Sequence, residues 1–220
     1  MDAPVFDGNL RKNIVRVPDV ISEASGITIL GRTLRSFIFS TDVAIIRNTN
    51  ADAIMAVYPF TPQPIISHAL ILASDKPVFC GIGGGTTAGQ RCVEIGIDAE
   101  FQGALGVVLN QPTKNELITR VKSVLEIPII VTVVSTEENI RERIGAGVDI
   151  FNVSGAAETP KIVRKIRELA PSFPIIATGG RSDDTIREVI ELGANAVSYT
   201  PPSTSELFRP LMSKYRDVAP

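Results

Sequence analysis

The sequence predicts an α/β fold, a (β/α)8 TIM barrel, and three observations carry that expectation. Short β-rich runs recur eight times from residue 36 onward, amphipathic helical patterns lie between them, and joints marked by Gly or Pro separate the two. Strands joined through helices imply right-handed parallel crossovers, and eight of them in about 185 residues suit closure better than an open sheet. The organisation expected is an N-terminal extension at 1–35 followed by a barrel at 36–220.

Taken in order, the chain first offers "GITILGRTLR" (26–35), a short ribbon expected to plug the barrel bottom or pack on a neighbour. The strand runs follow: "SFIFST" (36–41), "DAIMAVY" (52–58), "PVFCGIG" (77–83), "ALGVVLN" (104–110), "PIIVTVV" (128–134), "VDIFNVS" (148–154), "PIIATGG" (174–180) and "NAVSYTP" (195–201). Runs three, five and seven open with proline, whereas four, six and eight follow a glycine and two enters through "NADAIM", so the unit of repetition is a pair of βα units. The intervening segments have helical periodicity. In "TPKIVRKIREL" (159–169), Ile162, Val163, Ile166 and Leu169 share one face while Lys161, Arg164, Lys165 and Arg167 take the other. S-T-E-E at 135–138, T-K-N-E at 113–116 and S-T-S-E at 203–206 each read as a capping box just after a strand. The rival doubly wound sheet lacks its signature. "GIGGGTTAG" (81–89) does not match the dinucleotide fingerprint, and Gln90 stands where a P-loop requires lysine.

Composition narrows the function classes. A hydrophobic fraction of 44% and a charged fraction of 21% are those of an ordinary globular protein, and a net charge of -2 with mixed signs offers no basic footprint for nucleic acid or an anionic membrane. Cys80 and Cys92 have neither disulfide-framework nor metal spacing, so a reduced cytosolic setting is expected. The stretch 1–17 lacks an apolar leader region, and no segment has the run of 18 or more apolar residues that a membrane span needs. No cofactor motif and no His/carboxylate cluster with metal-ligand spacing stands out.

Alternation along each strand sorts side chains between barrel interior and helix layer. In the sixth run Ile150, Asn152 and Ser154 oppose Phe151 and Val153; in the eighth Ala196, Ser198 and Thr200 oppose Val197 and Tyr199; in the fourth Gly106, Val108 and Asn110 oppose Val107 and Leu109. The apolar parity meets the helices, so the polar parity lines the interior. Its last members, Asn110, Asn152, Ser154 and Thr200, reach the C-terminal mouth, joined by Ser40, Thr132 and Thr178 at matching strand ends. In this fold that mouth is where ligands bind.

The seventh run ends in Gly179–Gly180, where the fifth has Val133–Val134. A Gly-Gly exit lets backbone N–H groups approach an anion, and the following helix adds its positive N-terminal end. The alternative is a tight turn. Arg181 beside the glycines is a second candidate for the phosphate, and the joint after the eighth run adds Thr200 and Ser203. The matching valines imply that this joint tolerates bulk. Acid–base groups must come from loops: Asp42, Tyr58, Thr61, Lys114, Glu137 or Glu138. Asp42 reads equally as a helix cap, and Lys114, Glu137 and Glu138 as solvated charges of first helical turns. His68 in "IISHALILA" and Cys80 with helix-facing parity read as core or surface groups. The loop 81–89 is either a nest for a second anionic group or a flexible lid.

The segment "FPIIATGGRSDDTIREVIELGANAVSYTPPS" resembles the closing strands of the phosphate-binding, aldolase-type barrels, which include keto-deoxy-phosphogluconate aldolase, the thiazole synthase of thiamine biosynthesis and N-acetylmannosamine-6-phosphate epimerase. The resemblance covers about 90 residues, from the fifth run onward. It implies that Gly179, Gly180, Thr200 and Ser203 grip a phosphate, whereas the Schiff-base lysine of the aldolases has no counterpart in "VDIFNVSG". "GVDIFNVSGAAETPKIVRKI" resembles the glycerol-3-phosphate-responsive antiterminator barrels, and the whole chain resembles a group of bacterial barrels of unassigned chemistry, some labelled hydrolase. Two readings follow. One is a lyase or isomerase acting on a small phosphorylated metabolite, with Asp42 and Asn152 as catalytic candidates. The other is a phosphometabolite sensor without chemistry. Homo-oligomerisation is expected from an apolar N-terminal segment.

Overall fold

The computed structural model describes residue 4 and residues 13–217; the other residues of the 1–12 stretch, and 218–220, lie outside it, so the leader reading of 1–17 falls largely beyond the described residues. A 3-10 turn, Asp19–Glu23, leads into an antiparallel ribbon of β1 (Ile27–Ile29) and β2 (Arg32–Leu34). Eight further strands then close into a barrel. They are β3 (Ser36–Phe39), β4 (Ala53–Ala56), β5 (Val78–Gly83), β6 (Gly106–Leu109), β7 (Ile129–Val133), β8 (Ile150–Val153), β9 (Ile175–Thr178) and β10 (Ala196–Tyr199). Every neighbouring pair among them is parallel, and β10 returns to β3. The helices between and after them are α1 (Val43–Arg47), α2 (Pro64–Ala73), α3 (Gln90–Phe101), α4 (Asn115–Lys122), α5 (Ile140–Gly145), α6 (Thr159–Leu169), α7 (Asp183–Glu191) and α8 (Thr204–Asp217). Among the described residues no helix is long and apolar enough to cross a membrane.

The paired repeat has a hydrogen-bonding cause. Pro77, Pro128 and Pro174 stand just before β5, β7 and β9, and each carbonyl accepts from the preceding strand, from the N–H groups of Ile54, Val107 and Phe151. A proline there gives up only an N–H that the strand's start has no use for. The residue just before β4, β8 and β10 is Asp52, Asp149 or Asn195. Its side-chain oxygen accepts the N–H of the first residue of the strand before it: Ser36 at 2.9 Å, Ile129 at 2.9 Å and Ile175 at 3.0 Å. The sequence alternation of Pro and Asx starts therefore marks inter-strand bonds at the barrel bottom for six of the eight strands, β3 and β6 having neither.

Side chains partition as alternation dictates. Phe37, Ala53, Met55, Phe79, Val108, Ile130, Ile150, Ile176 and Ala196 fill the barrel, and Ile27, Ile29 and Leu34 of the ribbon join them from below. The ribbon is a plug. Phe37 and Phe79 meet edge to face at 5.2 Å, an arrangement that contributes about 1 kcal/mol beyond area burial. The opposite parity, with Ile38, Val107, Val131, Phe151 and Val153, packs under the helices. The N-terminal turn supplies a third cluster in which Val20 and Ile21 cover Val197 of β10 and Ile186 of α7. Of the N-terminal segment on which an oligomer was expected to form, Val20 and Ile21 are thus buried within the chain, where they give β10 its outer cover, while Leu30 of the ribbon stays exposed.

One expected capping box forms at its place, and two do not. Ser203 and Glu206 cap α8 reciprocally, with Ser203 N–H to Glu206 Oε2 at 2.8 Å and Glu206 N–H to Ser203 Oγ at 3.2 Å. At 135–138 the chain is still a loop. The cap of α5 is Asn139, accepting from Glu142 N–H at 3.3 Å. At 113–116 the cap position is Lys114, and the Thr113 hydroxyl turns back to the Asn110 carbonyl at 2.5 Å. A box absent from the sequence reading closes α7 through Ser182 and Thr185.

Candidate functional site

The C-terminal mouth is built from strand ends above the apolar plug. Asn152 follows Ile150 on β8 and is 7% exposed, its Nδ2 donating to Thr132 Oγ1 at 3.3 Å. Its Oδ1 is buried and has no hydrogen-bond partner. Ser198 of β10 is also buried, whereas Thr132, Thr178 and Asn110 are half-buried and Ser154 and Thr200 are exposed at the rim. The inward-facing strand ends Asn110, Thr132, Asn152, Thr178 and Ser198 are all uncharged.

Two recesses open from this floor. One, of about 510 Å³, lies over β9 and β10 and is lined by Thr178, Gly180, Arg181, Tyr199, Thr200, Pro201, Pro202 and Glu206. The N–H groups of Gly180, Arg181 and Thr200 have no hydrogen-bond partner among the described residues. The other lies over β4, β5 and β6, where Asn110 meets Tyr58, Gln111 and Gly81, Gly83, Gly85 of the glycine-rich loop. That loop is packed rather than loose at its start: Gly84 N–H donates to the Thr87 carbonyl at 2.9 Å, and a Cβ on Gly84 would lie 2.0 Å from Thr113 Oγ1.

The two glycines after β9 have separate reasons. A Cβ on Gly179 would stand 2.6 Å from Ile186 Cγ1 and 3.0 Å from Val197 Cγ1, so glycine lets α7 approach the strand end. Gly180 has φ +76°, and a Cβ there would meet Thr185 Oγ1 at 2.6 Å. The implied tolerance for bulk at this joint is therefore corrected. Helix α7 begins at Asp183, five residues after β9 ends, whereas α5 begins at Ile140, seven after β7, leaving room for Val133 and Val134.

Other candidates fall elsewhere. Ser40 shares the parity of Ile38, which packs under the helices, so it does not join the inner ring; its Oγ accepts from Asp42 N–H at 3.1 Å. Asp42 is the N-cap of α1, taking the Ala44 N–H at 2.8 Å and the Ile45 N–H at 3.3 Å on Oδ1, while Oδ2 accepts from the Thr204 hydroxyl. The Thr204 hydrogen bond, with the two backbone donors, holds the Asp42 carboxyl below the usual range against a smaller opposing effect of burial. Ser203 is occupied in its cap with Glu206. Tyr58 accepts the Gln63 N–H at 2.9 Å on its hydroxyl, and Thr61 is exposed. His68 Nδ1 pairs with Gln102 Oε1 on the outer helices. Burial pushes the Cys80 thiol up to about 11, against a smaller lowering by Ser67, so it is neutral at pH 7 and no nucleophile.

Glu138 is not a solvated charge. Its carboxylate accepts Gln111 Nε2 at 2.7 Å and Arg143 Nε at 3.1 Å, with both side chains of the ion pair almost wholly buried. Arg143 also donates to Asn115 Oδ1 at 3.0 Å and to the Thr113 carbonyl. This network ties the loops after β6 and β7 together. No periodic signal marks it, because its members come from loops 27 to 30 residues apart. Sequence reasoning also missed Glu206 as a recess wall. Hydrogen bonds from the Ser203 side chain and backbone, with Arg181 across the recess as a weaker influence, hold its carboxyl below the usual range.

Fold and mouth together define the class: a (β/α)8 barrel whose C-terminal site sets uncharged polar strand ends beside Arg181 and Glu206. No protein-family model matches the chain, and no curated protein sequence matches it. Solved structures do. It is similar to phosphoenolpyruvate phosphomutase from Streptomyces platensis subsp. rosaceus, with a TM-score of 0.63, 11% identity, and coverage of 84% of this chain and 81% of that one. Likewise 2,3-dimethylmalate lyase, a PEP mutase/isocitrate lyase superfamily member, gives 0.60 at 12% identity over 90% and 82%. Thiamine phosphate pyrophosphorylase from Pyrococcus furiosus gives 0.59 at 21% over 76% and 85%. At such identities the likeness shows the barrel alone. The three aldolase-type enzymes that the closing strands resemble gain no support from these neighbours.

Proposed function

We propose that the chain is a lyase- or isomerase-type enzyme acting on a small phosphorylated, hydroxylated metabolite at the barrel mouth. The phosphate takes the recess over β9 and β10, where Gly180, Arg181 and Thr200 offer free N–H groups and one guanidinium. Hydroxyls of the ligand meet Asn152, Thr132 and Asn110. The observation that carries the reading is the unpartnered Asn152 Oδ1, since a buried acceptor without a donor costs about 1–3 kcal/mol and a ligand hydroxyl would satisfy it. Glu206 is the carboxylate lining the phosphate recess and therefore a better acid–base candidate than Asp42, whose two oxygens are both engaged. The relatives in fold include phosphomutase and lyase enzymes, which agrees with such chemistry.

The neutral floor favours a second reading, a sensor that binds the same ligand without turnover. Thermal unfolding with inorganic phosphate and a panel of phosphosugars and phosphorylated polyols tests binding. Wild type is expected to gain RT ln(1 + [L]/Kd), and Arg181→Ala to lose most of that gain for every phosphate. No stabilisation by any member of the panel would sink both readings. A ligand that stabilises the protein yet is returned unchanged after prolonged incubation, followed by 31P NMR, selects the sensor.

A further inference from the structure

The recess over β4, β5 and β6 holds about 200 Å³, and its wall includes Gly85, Thr86 and Thr87 of the loop that leads from β5 to α3. Three features of that loop are left unused by the fold. The N–H groups of Gly85, Thr86 and Thr87 donate to nothing among the described residues, and the 12-residue helix α3 begins just beyond them at Gln90. Thr87 is 6% exposed and lines the recess, yet its hydroxyl makes no hydrogen bond among the described residues; only its carbonyl is engaged, by Gly84 N–H and Cys92 Sγ. Gly85 is a glycine for no reason internal to the chain. Gly83 and Gly84 have φ of +123° and +103°, and a Cβ on them would meet a neighbour at 2.6 Å and 2.0 Å. At Gly85 φ lies outside the left-handed range, and nothing stands within 4 Å of where a Cβ would be. A side chain there would take up the recess itself.

Taking the phosphate reading of the mouth as given, we propose that this loop is a second oxyanion cradle, and that the metabolite bound at the mouth is two-headed: a sugar bisphosphate or a phosphorylated sugar acid. Successive free N–H groups ahead of a helix form a concave donor array for an anion's oxygens, with the positive end of the helix behind it. The surrounding charges do not oppose it. None of the lining residues is charged, and the carboxylate held by one of them, Glu138 behind Gln111, is paired with Arg143. Arg91 and Glu94, in the first two turns of α3, are both exposed and of opposite sign. A polar row joins the two cradles. Leu109 pairs with Val131 and Thr132 with Asn152, so Asn110, Thr132 and Asn152 follow one another at one level from β6 to β8, and Thr178 on β9 reaches the recess over β9 and β10. Three strand spacings of ~4.8 Å separate β6 from β9 around the wall, so a ligand with a head in each recess spans on the order of 10 Å. That length suits a pentose or hexose with an oxyanion at each end, not a triose.

Isothermal titration with fructose phosphate, fructose bisphosphate and phosphogluconate tests it. Wild type is expected to bind one of the two-headed compounds ~10-fold or more tighter than fructose phosphate, the scale of one charge-assisted hydrogen bond. The better of the two names the second head as phosphate or carboxylate. Gly85→Val should abolish that preference with fructose phosphate still bound and the unfolding midpoint unchanged, because nothing in the fold occupies the space. Thr87→Val, which keeps the shape and removes the hydroxyl, should lower the preference without abolishing it. Arg181→Ala should instead weaken all three compounds, which separates the phosphate recess from this one. A wild type that binds the three equally, or a Gly85→Val variant that keeps the preference, overturns the second cradle and leaves the phosphate reading in place. Binding of none of the three overturns both.

Discussion

Asn152 stands where stability alone would place a hydrocarbon. Its neighbour one step below on β8, Ile150, belongs to the packed interior, yet Asn152 is buried with one amide group unpartnered and the other in a long 3.3 Å contact to Thr132. If the residue is kept for a ligand, removing it should help the empty protein. Asn152→Leu is expected to raise the unfolding free energy by about 1 kcal/mol, by relieving an unsatisfied acceptor, while abolishing stabilisation by hydroxylated phosphates and sparing that by inorganic phosphate. Denaturant unfolding with and without ligand reads both effects. A variant destabilised by more than about 1 kcal/mol would instead make Asn152 part of a structural network. The residue was legible from strand alternation because parity depends only on a period of two. Ser40 was misplaced because its position was matched by strand ends; counted by alternation from Phe37 it falls on the helix-facing parity of Ile38.

At the scale of elements, the joints between strands carry the information that the sequence shows as a repeat. Asn195, just before β10, accepts the Ile175 N–H at 3.0 Å and Arg167 Nη2 at 2.7 Å, and donates to Ser25 Oγ at 3.0 Å. It thereby ties β9, α6 and the N-terminal segment together at the barrel bottom. Arg167 completes the tie with bonds to the Gly193 and Phe173 carbonyls. Asn195→Ala is expected to cost about 2 kcal/mol, because the Ile175 N–H and the partly buried guanidinium both lose an acceptor; Asn195→Asp, which keeps the acceptor, should cost less. Equilibrium unfolding in urea decides it. The repeat was visible as Pro and Asx spacing, but not its partner, because each Asx bonds to the strand before its own. Two capping boxes failed for separate local reasons: the loop after β7 continues to Asn139, and at the start of α4 the Thr113 hydroxyl is taken by the Asn110 carbonyl.

The whole molecule follows a barrel plan that periodicity and spacing made legible, with one substitution of parts that they did not. Closure, strand order and parallel pairing all derive from eight βα units. That the N-terminal turn rather than α8 covers β10 depends on a contact between Ile21 and Val197, 176 residues apart, and no local pattern encodes it. Helix α8 reads as an ordinary crossover helix in sequence; only its exposure, at every residue from Glu206 to Arg216, sets it apart. The two segments should therefore differ sharply in what they contribute to the isolated chain. Ile21 is 2% exposed among Val20, Ile186 and Val197, so Ile21→Ala leaves a cavity and should cost about 3 kcal/mol. Leu207 is 36% exposed, and Leu207→Ala should change the unfolding free energy by less than about 0.5 kcal/mol. The comparison is made by urea unfolding at protein concentrations where sedimentation shows a monomer, so that any contact with a second copy does not enter. Equal costs would mean that α8 docks on its own barrel in solution, and that β10 is covered from both ends of the chain.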